Sequence, residues 1–437
     1  MNITKIIDSN DVSLKIKLSK SELAFYAIFL FTILNGFYNA LNVAYGFNSY
    51  PYNTFVFDSS DLHADLVKYT LSFFQDKFPN YKEWSSLYQE YYLHNPYGGV
   101  QNLNNGQLSS YGSFPLSIVI NLIIGQLIYI GGPKLLVKSL YIFVILSSFI
   151  VIYFFTNKDK YNTLVLLIAF LLSYTVLFML TRGHIYSYLV FLMFTVFVYF
   201  LIYKKNIVIP ILLLALIMNF RPNMGIFMFL FYIYGFRNFI KASFTVLLFA
   251  GIIFYLSLQI STIFLEGYSF DNIAKGLKIY TENYILGSGG DAFNNSFFGI
   301  LKFFQLVLNS KDIQIISLSI ILIFLPITIY LYSKKKIMEY DFIYLIVGIY
   351  ILITPSFATY HMLILYIFIL VPLKKNIINN ANYSNIIICS VIVLLLPKNY
   401  YYNLNQISIE TLINPIVILW SLFIIVFLSL KNKGIKI

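Results

Sequence analysis

Charge is what this sequence has least of. Asp, Glu, Lys and Arg make up 11% of its 437 residues, against roughly 25% in an ordinary soluble domain. So little polar surface excludes a water-soluble globule. Acids are scarcest, 18 against 30 Lys and Arg. Arginine occurs only as Arg182, Arg221 and Arg237, and histidine only as His63, His94, His184 and His361. Cysteine occurs once, as Cys389, so no intramolecular disulfide can form. Neither a Gly-x-x-x-x-Gly-Lys-Ser/Thr loop nor a Gly-x-Gly-x-x-Gly turn is present, which removes two familiar backbone cradles for nucleotide phosphates.

What is abundant is apolar. Hydrophobic residues reach 59%, and runs of about 18 or more recur, long enough to cross a bilayer as helices. The chain reads as an all-α polytopic membrane protein, one integral-membrane domain over residues 1–437. Lys5, Lys15, Lys17 and Lys20 precede an apolar run from about Leu23 to Tyr45. That run is too long for a signal-peptide core and has no small-residue cleavage site, so it is expected to stay as an anchor. The net charge of +12 is no nucleic-acid footprint. It sits in short clusters between apolar runs: Lys204-Lys205, Lys334-Lys335-Lys336, Lys374-Lys375, and Lys431, Lys433 and Lys436. This positive-inside pattern predicts cytoplasmic N- and C-termini.

On that reading residues 46–112 form a large outer loop. Within it, Asp61 to Phe78 has apolar residues at helical spacing and is expected to lie along the interface. A second outer loop spans residues 266–297. Between them lies a broken pair, Ile207 to Phe220 and Met224 to Phe236, interrupted by Arg221-Pro222-Asn223. Each half is about 20 Å long, short of a crossing. Such breaks occur at membrane depth only inside protein or beside a wet cavity. Strict alternation puts Lys158 and Lys160 outside, whereas counting back from Lys204 puts them inside. One segment between residues 115 and 203 therefore has to be re-entrant or must not cross.

The scarce polar residues gather towards the outer face. Arg182 and Arg221 are embedded in "TRGHIYSYL" and "NFRPNMG". An intramembrane arginine is costly unless it faces a partner or a cavity; the plainer alternative is snorkelling to a headgroup. Asp58, Asp61 and Asp65 follow the first helix, with Asp61 and Asp65 on one helical face. Capping is the plainer reading for Asp58 and Asp61. Asp-Leu-His-Ala-Asp matches no strong metal signature, so neither a metal nor another cofactor is expected. Carboxylates, histidines and buried arginines above a greasy bundle suit a lipid substrate with a phosphate head: arginine for the phosphate, a carboxylate to take a proton from an attacking hydroxyl.

Several stretches, in order, resemble the GT-C superfamily of polyprenyl-phosphate-sugar-dependent glycosyltransferases, in particular its prokaryotic mannosyltransferase-like members. "SDLHADLVKYTLSFF" with "NPYGG" is similar to that family's acidic first loop. "YGSFPLSIVI" resembles its Tyr-Pro-Pro helix start, with Phe114-Pro115 in place of the double proline. "TRGHIYSYLVFL" resembles its Arg-Gly helix start, with His184 in the third place. "FNNSFFGILKFF" looks like its Asn-Gln-Ser-Leu loop exit. "ITPSFATYHMLIL" is similar to its Ser-Pro…His segment, and in "MNFRPNMG" Arg221 stands where the family often has lysine. In size and topology the chain also resembles serotype-converting O-antigen glucosyltransferases.

The resemblance implies a GT-C-like bundle of about 10–13 transmembrane or re-entrant helices, with amphipathic helices in the first periplasmic loop. It implies an inverting transfer from a polyprenyl-phosphate sugar to a glycan, free or lipid-linked, at the periplasmic face of a bacterial inner membrane. Asp61 would be the catalytic base, with Asp58 as second choice. Arg221, Arg182, His361 and His184 would hold the donor phosphate. His63, Asn95, Tyr97, Asn294 and Asn295 would meet the acceptor. Membrane lipid and the two substrates are the expected partners, and nucleic acid is not. Two rivals stand beside this reading: an O-antigen or capsule polymerase, and a lipid-linked glycan flippase or transporter.

Overall fold

The computed structural model describes residues 19–44, 66, 115–204, 206–264, 269–287, 293–374, 383–398, 401–402 and 407–431. Among these the protein is almost entirely helical, with a single antiparallel ribbon pairing Tyr401–Tyr402 with Ile407–Ser408. Six helices are long and apolar enough to cross a membrane, or seven if the pair Lys160–Leu171 and Tyr174–Arg182, bent by 61°, counts as one. Five shorter apolar helices accompany them. The chain is therefore a polytopic all-α membrane protein. The expected interfacial helix at Asp61 to Phe78 lies outside the described residues apart from Leu66, which is buried.

The uncertain stretch between residues 115 and 203 resolves into four pieces. The helix from Pro115 to Phe155 breaks at Gly131 and Gly132, the latter with φ 70°, a conformation open to glycine at little cost. Pro115–Leu127 is a short apolar helix, whereas Lys134–Phe155 is a full-length span. The bent Lys160–Arg182 pair and the span Ile185–Tyr203 follow. The bent pair and the span after it run out and back, so Lys158 and Lys160 fall at the same end as Tyr203. The Phe155 ring indeed meets Tyr199 and Tyr203, with centroids 5.8 and 6.4 Å away.

That end is basic and is stitched across many elements. Lys20 Nζ donates to Asn385 Oδ1 at 2.5 Å. Asn162 Nδ2 donates to Glu22 at 2.7 Å, Lys374 Nζ to the Tyr199 hydroxyl at 3.0 Å, and Lys336 Nζ to the Leu430 carbonyl at 3.2 Å. From it two helical hairpins rise into the bundle. The first is Val208–Phe220, returning as the 3₁₀ helix Pro222–Tyr234; the Tyr234 hydroxyl bonds the Asn206 carbonyl at 3.0 Å, closing its base. The second runs up Glu339–Ile353 and down through Thr359–Tyr366 and Ile367–Leu373, with the Tyr340 hydroxyl on the Phe368 carbonyl at 2.6 Å. Both tips lie away from the basic end. Ser384–Leu395 and Glu410–Lys431 form a third such pair, joined by the short ribbon.

The second outer loop expected at residues 266–297 is partly helical, with Phe270–Tyr280 an α-helix. The core between the hairpins is aromatic and aliphatic: Phe194, Phe227, Tyr350, Phe357 and Tyr366 are fully buried. Large apolar side chains face outward along Phe236–Phe264, among them Phe244, Leu248 and Tyr255, as a lipid-facing helix requires.

Candidate functional site

The two hairpin tips meet, and the site is built where they do. Pro222 lacks a backbone N–H and biases the residue before it towards extended backbone. Arg221 accordingly sits at φ −148°, ψ 93°, ending Val208–Phe220 and capping the 3₁₀ helix. Its side chain is thereby free of the helical register. Asn223 Nδ2 bonds Thr354 Oγ1 at 3.1 Å, locking one tip to the other.

The Arg221 guanidinium donates to Ser187 Oγ at 3.2 Å and lies 2.7 Å from both ring nitrogens of His361. Ser187 Oγ is 2.6 Å from His361 Nδ1 and 2.9 Å from His184 Nδ1. The Ser187 backbone N–H also donates to His184 Nδ1, at 3.2 Å. A nitrogen that accepts from an amide carries no proton, so in His184 the proton is assigned to Nε2. His184 caps the helix Ile185–Tyr199 through that bond. Its ring stacks on Tyr360 at 4.2 Å and meets His361 edge-on at 5.4 Å. Enclosure by protein, and then the Arg221 charge, hold the His184 imidazole well below its usual protonation range.

Arg221 forms no ion pair with a described carboxylate. Its neighbours are a hydroxyl and an imidazole, and it lines a small pocket with Ser187, Val190, Met224, Tyr350, Phe357, His361 and Ile364. A guanidinium so placed keeps its fork of donors for an anion.

Sequence reasoning grouped Arg221, Arg182, His361 and His184. The structure brings Arg221, His361 and His184 into one contact network. Arg182 ends the helix Tyr174–Arg182, and its charge acts on His184. Asn294 and Asn295 are buried and engaged with protein. Asn294 Oδ1 accepts from the Phe357 N–H at 3.0 Å and its Nδ2 donates to the Pro355 carbonyl at 2.8 Å. The Asn295 N–H donates to the Phe357 carbonyl at 2.8 Å. The two asparagines thus clasp the second hairpin tip. Asp58, Asp61, His63, Asn95 and Tyr97 lie outside the described residues. Among the described residues no group of His, Cys, Asp and Glu could hold a metal.

Ser187 and Tyr360 were missed from sequence. Both sit one to three residues from a histidine that was singled out, but a lone serine or tyrosine in an apolar run carries no signal of its own. No family model, curated protein or solved structure matches this chain.

Proposed function

We propose that this chain is an inverting membrane glycosyltransferase, with a GT-C-like architecture, that takes a sugar from a polyprenyl-phosphate donor and passes it to a glycan acceptor. The reaction would occur at the periplasmic face of a bacterial inner membrane, with both termini cytoplasmic. One observation carries the reading: a guanidinium without a carboxylate partner among the described residues, at the meeting of two broken hairpins, within reach of Ser187, His361 and His184. An arginine inside a bundle is costly unless it faces a partner or a cavity, and Arg221 lines a pocket with neutral partners. The apolar surroundings supply what a prenyl tail needs.

The chemistry follows from that placement. A carboxylate of the first loop, Asp61 by preference and Asp58 otherwise, takes the proton of an acceptor hydroxyl. The hydroxyl oxygen attacks the anomeric carbon, and the bond from that carbon to the phosphate oxygen breaks with inversion. The departing prenyl phosphate keeps the bonding electrons, and Arg221 balances its growing charge from a position fixed before the reaction starts. The energy arrives with the lipid-linked donor, so no nucleotide is needed.

The test is transfer by the purified chain from a synthetic polyprenyl-phosphate sugar to a lipid-linked glycan. Absence of any transfer across a panel of hexose donors would refute the reading. A polymerase of lipid-linked glycans could use the same phosphate site. Glycan sizing in a deletion strain separates the two: a lost branch sugar marks the transferase, lost long chains the polymerase.

A further inference from the structure

Behind the second hairpin tip lies a buried polar chain that neither substrate would touch. Glu410, Thr359, Asn295 and Asn414 are all buried. Their hydrogen bonds have a direction. Asn295 Nδ2 faces the Phe293 carbonyl at 2.9 Å, which can only accept, so that atom is the amide donor. Its other hydrogen points to Thr359 Oγ1 at 3.1 Å. Thr359 therefore accepts from Asn295 and spends its own proton on Glu410 Oε1. The Tyr174 hydroxyl donates to Glu410 Oε2 at 3.3 Å. Asn414 Nδ2 donates to Asn295 Oδ1 at 2.6 Å. The chain ends in one carboxylate that accepts on both oxygens.

Thr359 is the first residue of the 3₁₀ helix Thr359–Tyr366, and no side chain caps that helix. The next two residues are Tyr360, stacked on His184, and His361, against Arg221. Glu410 thus grips the residue immediately before the two that shape the site. It does so from Glu410–Lys431, a helix that supplies no residue to the Arg221 pocket. Burying a carboxylate costs several kcal/mol before its bonds are counted. The Thr359 hydroxyl donates to that carboxyl group, and a turn without a cap of its own needs a firm outside hold.

We propose that Glu410 is a positioning residue: through Thr359 it fixes the turn that carries Tyr360 and His361 and so sets the affinity of Arg221 for a prenyl-linked phosphate monoester. The inference rests on the reading of Arg221 as a phosphate site. Glu410 touches no substrate. It acts by holding the His361 ring where the guanidinium keeps its donors aimed at one place, which spares the ligand the cost of ordering them.

The experiment measures binding of farnesyl phosphate to the detergent-purified full chain by calorimetry, with farnesol and inorganic phosphate as parallel probes. Each variant is measured well below its own melting temperature. Glu410→Ala and Thr359→Val are expected to weaken farnesyl phosphate binding about tenfold, the loss of one buried hydrogen bond. Thr359→Ser keeps the hydroxyl and is expected to stay within about twofold of the parent. Farnesol binding should be unmoved in all three. A merely structural Glu410 would lower the melting temperature and leave the affinity of the folded protein alone. The proposal is overturned if Thr359→Val and Glu410→Ala bind farnesyl phosphate like the parent while Arg221→Ala does not. It is equally overturned if Thr359→Ser is as weak as Thr359→Val. If Arg221→Ala also keeps its affinity, or inorganic phosphate binds as well as the prenyl ester, the failure lies with the phosphate-lipid reading itself. Should Glu410→Ala fail to fold, Glu410→Gln and the two Thr359 variants carry the same comparison.

Discussion

Ser187 and His361 are 174 residues apart in the chain, and their Oγ and Nδ1 atoms are 2.6 Å apart in the fold. Ser187 opens a full membrane span, and His361 follows the tip of a hairpin rooted at the opposite end. Their bond, with Arg221 donating to Ser187 and in contact with His361, joins three separate elements at one guanidinium. The functional expectations below rest on that junction.

Replacing Arg221 by alanine is expected to cut transfer about 10² to 10³-fold, the usual effect of deleting one fixed donor to a developing anion. Lysine should restore part of the rate, since it returns the charge without the planar fork. Steady-state rates on a synthetic polyprenyl-phosphate sugar decide it. Full activity of Arg221→Ala would remove the phosphate from this site.

Asp61→Asn keeps the shape and removes the base, so transfer should drop about 10² to 10⁴-fold with insertion and folding intact. Asp58→Asn should cost less. The opposite ranking in the same assay would exchange the two roles.

Transfer should be indifferent to EDTA. On the proposed reaction the leaving group is a single lipid phosphate, beside which Arg221 would supply a fixed positive charge. Activity lost to the chelator and returned by Mg²⁺ or Mn²⁺ would make the first-loop acids ligands instead.

The contribution of His184 to stability has a definite sign with pH. Enclosure and the Arg221 charge keep the folded His184 imidazole below the value of 6.5 it has when free. As pH falls below that value the unfolded chain binds a proton at His184 that the folded one refuses, so the His184 contribution to stability declines on acidification. Melting curves of the parent and of His184→Gln between about pH 7.5 and 5.5 should differ by this contribution, the parent losing more stability than the variant as pH falls. An unchanged slope in the variant would assign the effect to other groups.

Gly299 tests the clasp rather than the chemistry. A Cβ there would lie 2.0 Å from the Asn294 carbonyl oxygen, and Asn294 holds both Phe357 and Pro355. Gly299→Ala should destabilise the protein by about 1–3 kcal/mol, the usual range for forced overpacking. Gly251, with open space around it, is the control. Equal melting temperatures for the two alanine variants would mean that the clasp yields easily.

Sequence alone determined the class of this protein. An 11% charged chain with 59% hydrophobic residues has no solvent but lipid for its surface, and backbone in lipid must be helical or closed. The break at Arg221-Pro222 was also legible, because proline acts locally: it withdraws a hydrogen bond and bends the residue before it. The isolation of Arg182, Arg221, His184 and His361 within apolar runs marked them for the same reason, since each pays a desolvation cost that the sequence displays. What only tertiary structure decided was which of these costs are met together. Ser187, Tyr360, Thr359 and Glu410 look unremarkable in order, because a hydroxyl or a lone acid near a helix end has many ordinary uses. Likewise the break between Pro115–Leu127 and Lys134–Phe155 falls at a glycine pair, residues 131–132, and glycine in an apolar run does not by itself announce a break. The pairing of Ser187 with His361 across 174 residues follows from how a span and a hairpin pack, and helix periodicity carries no information about that.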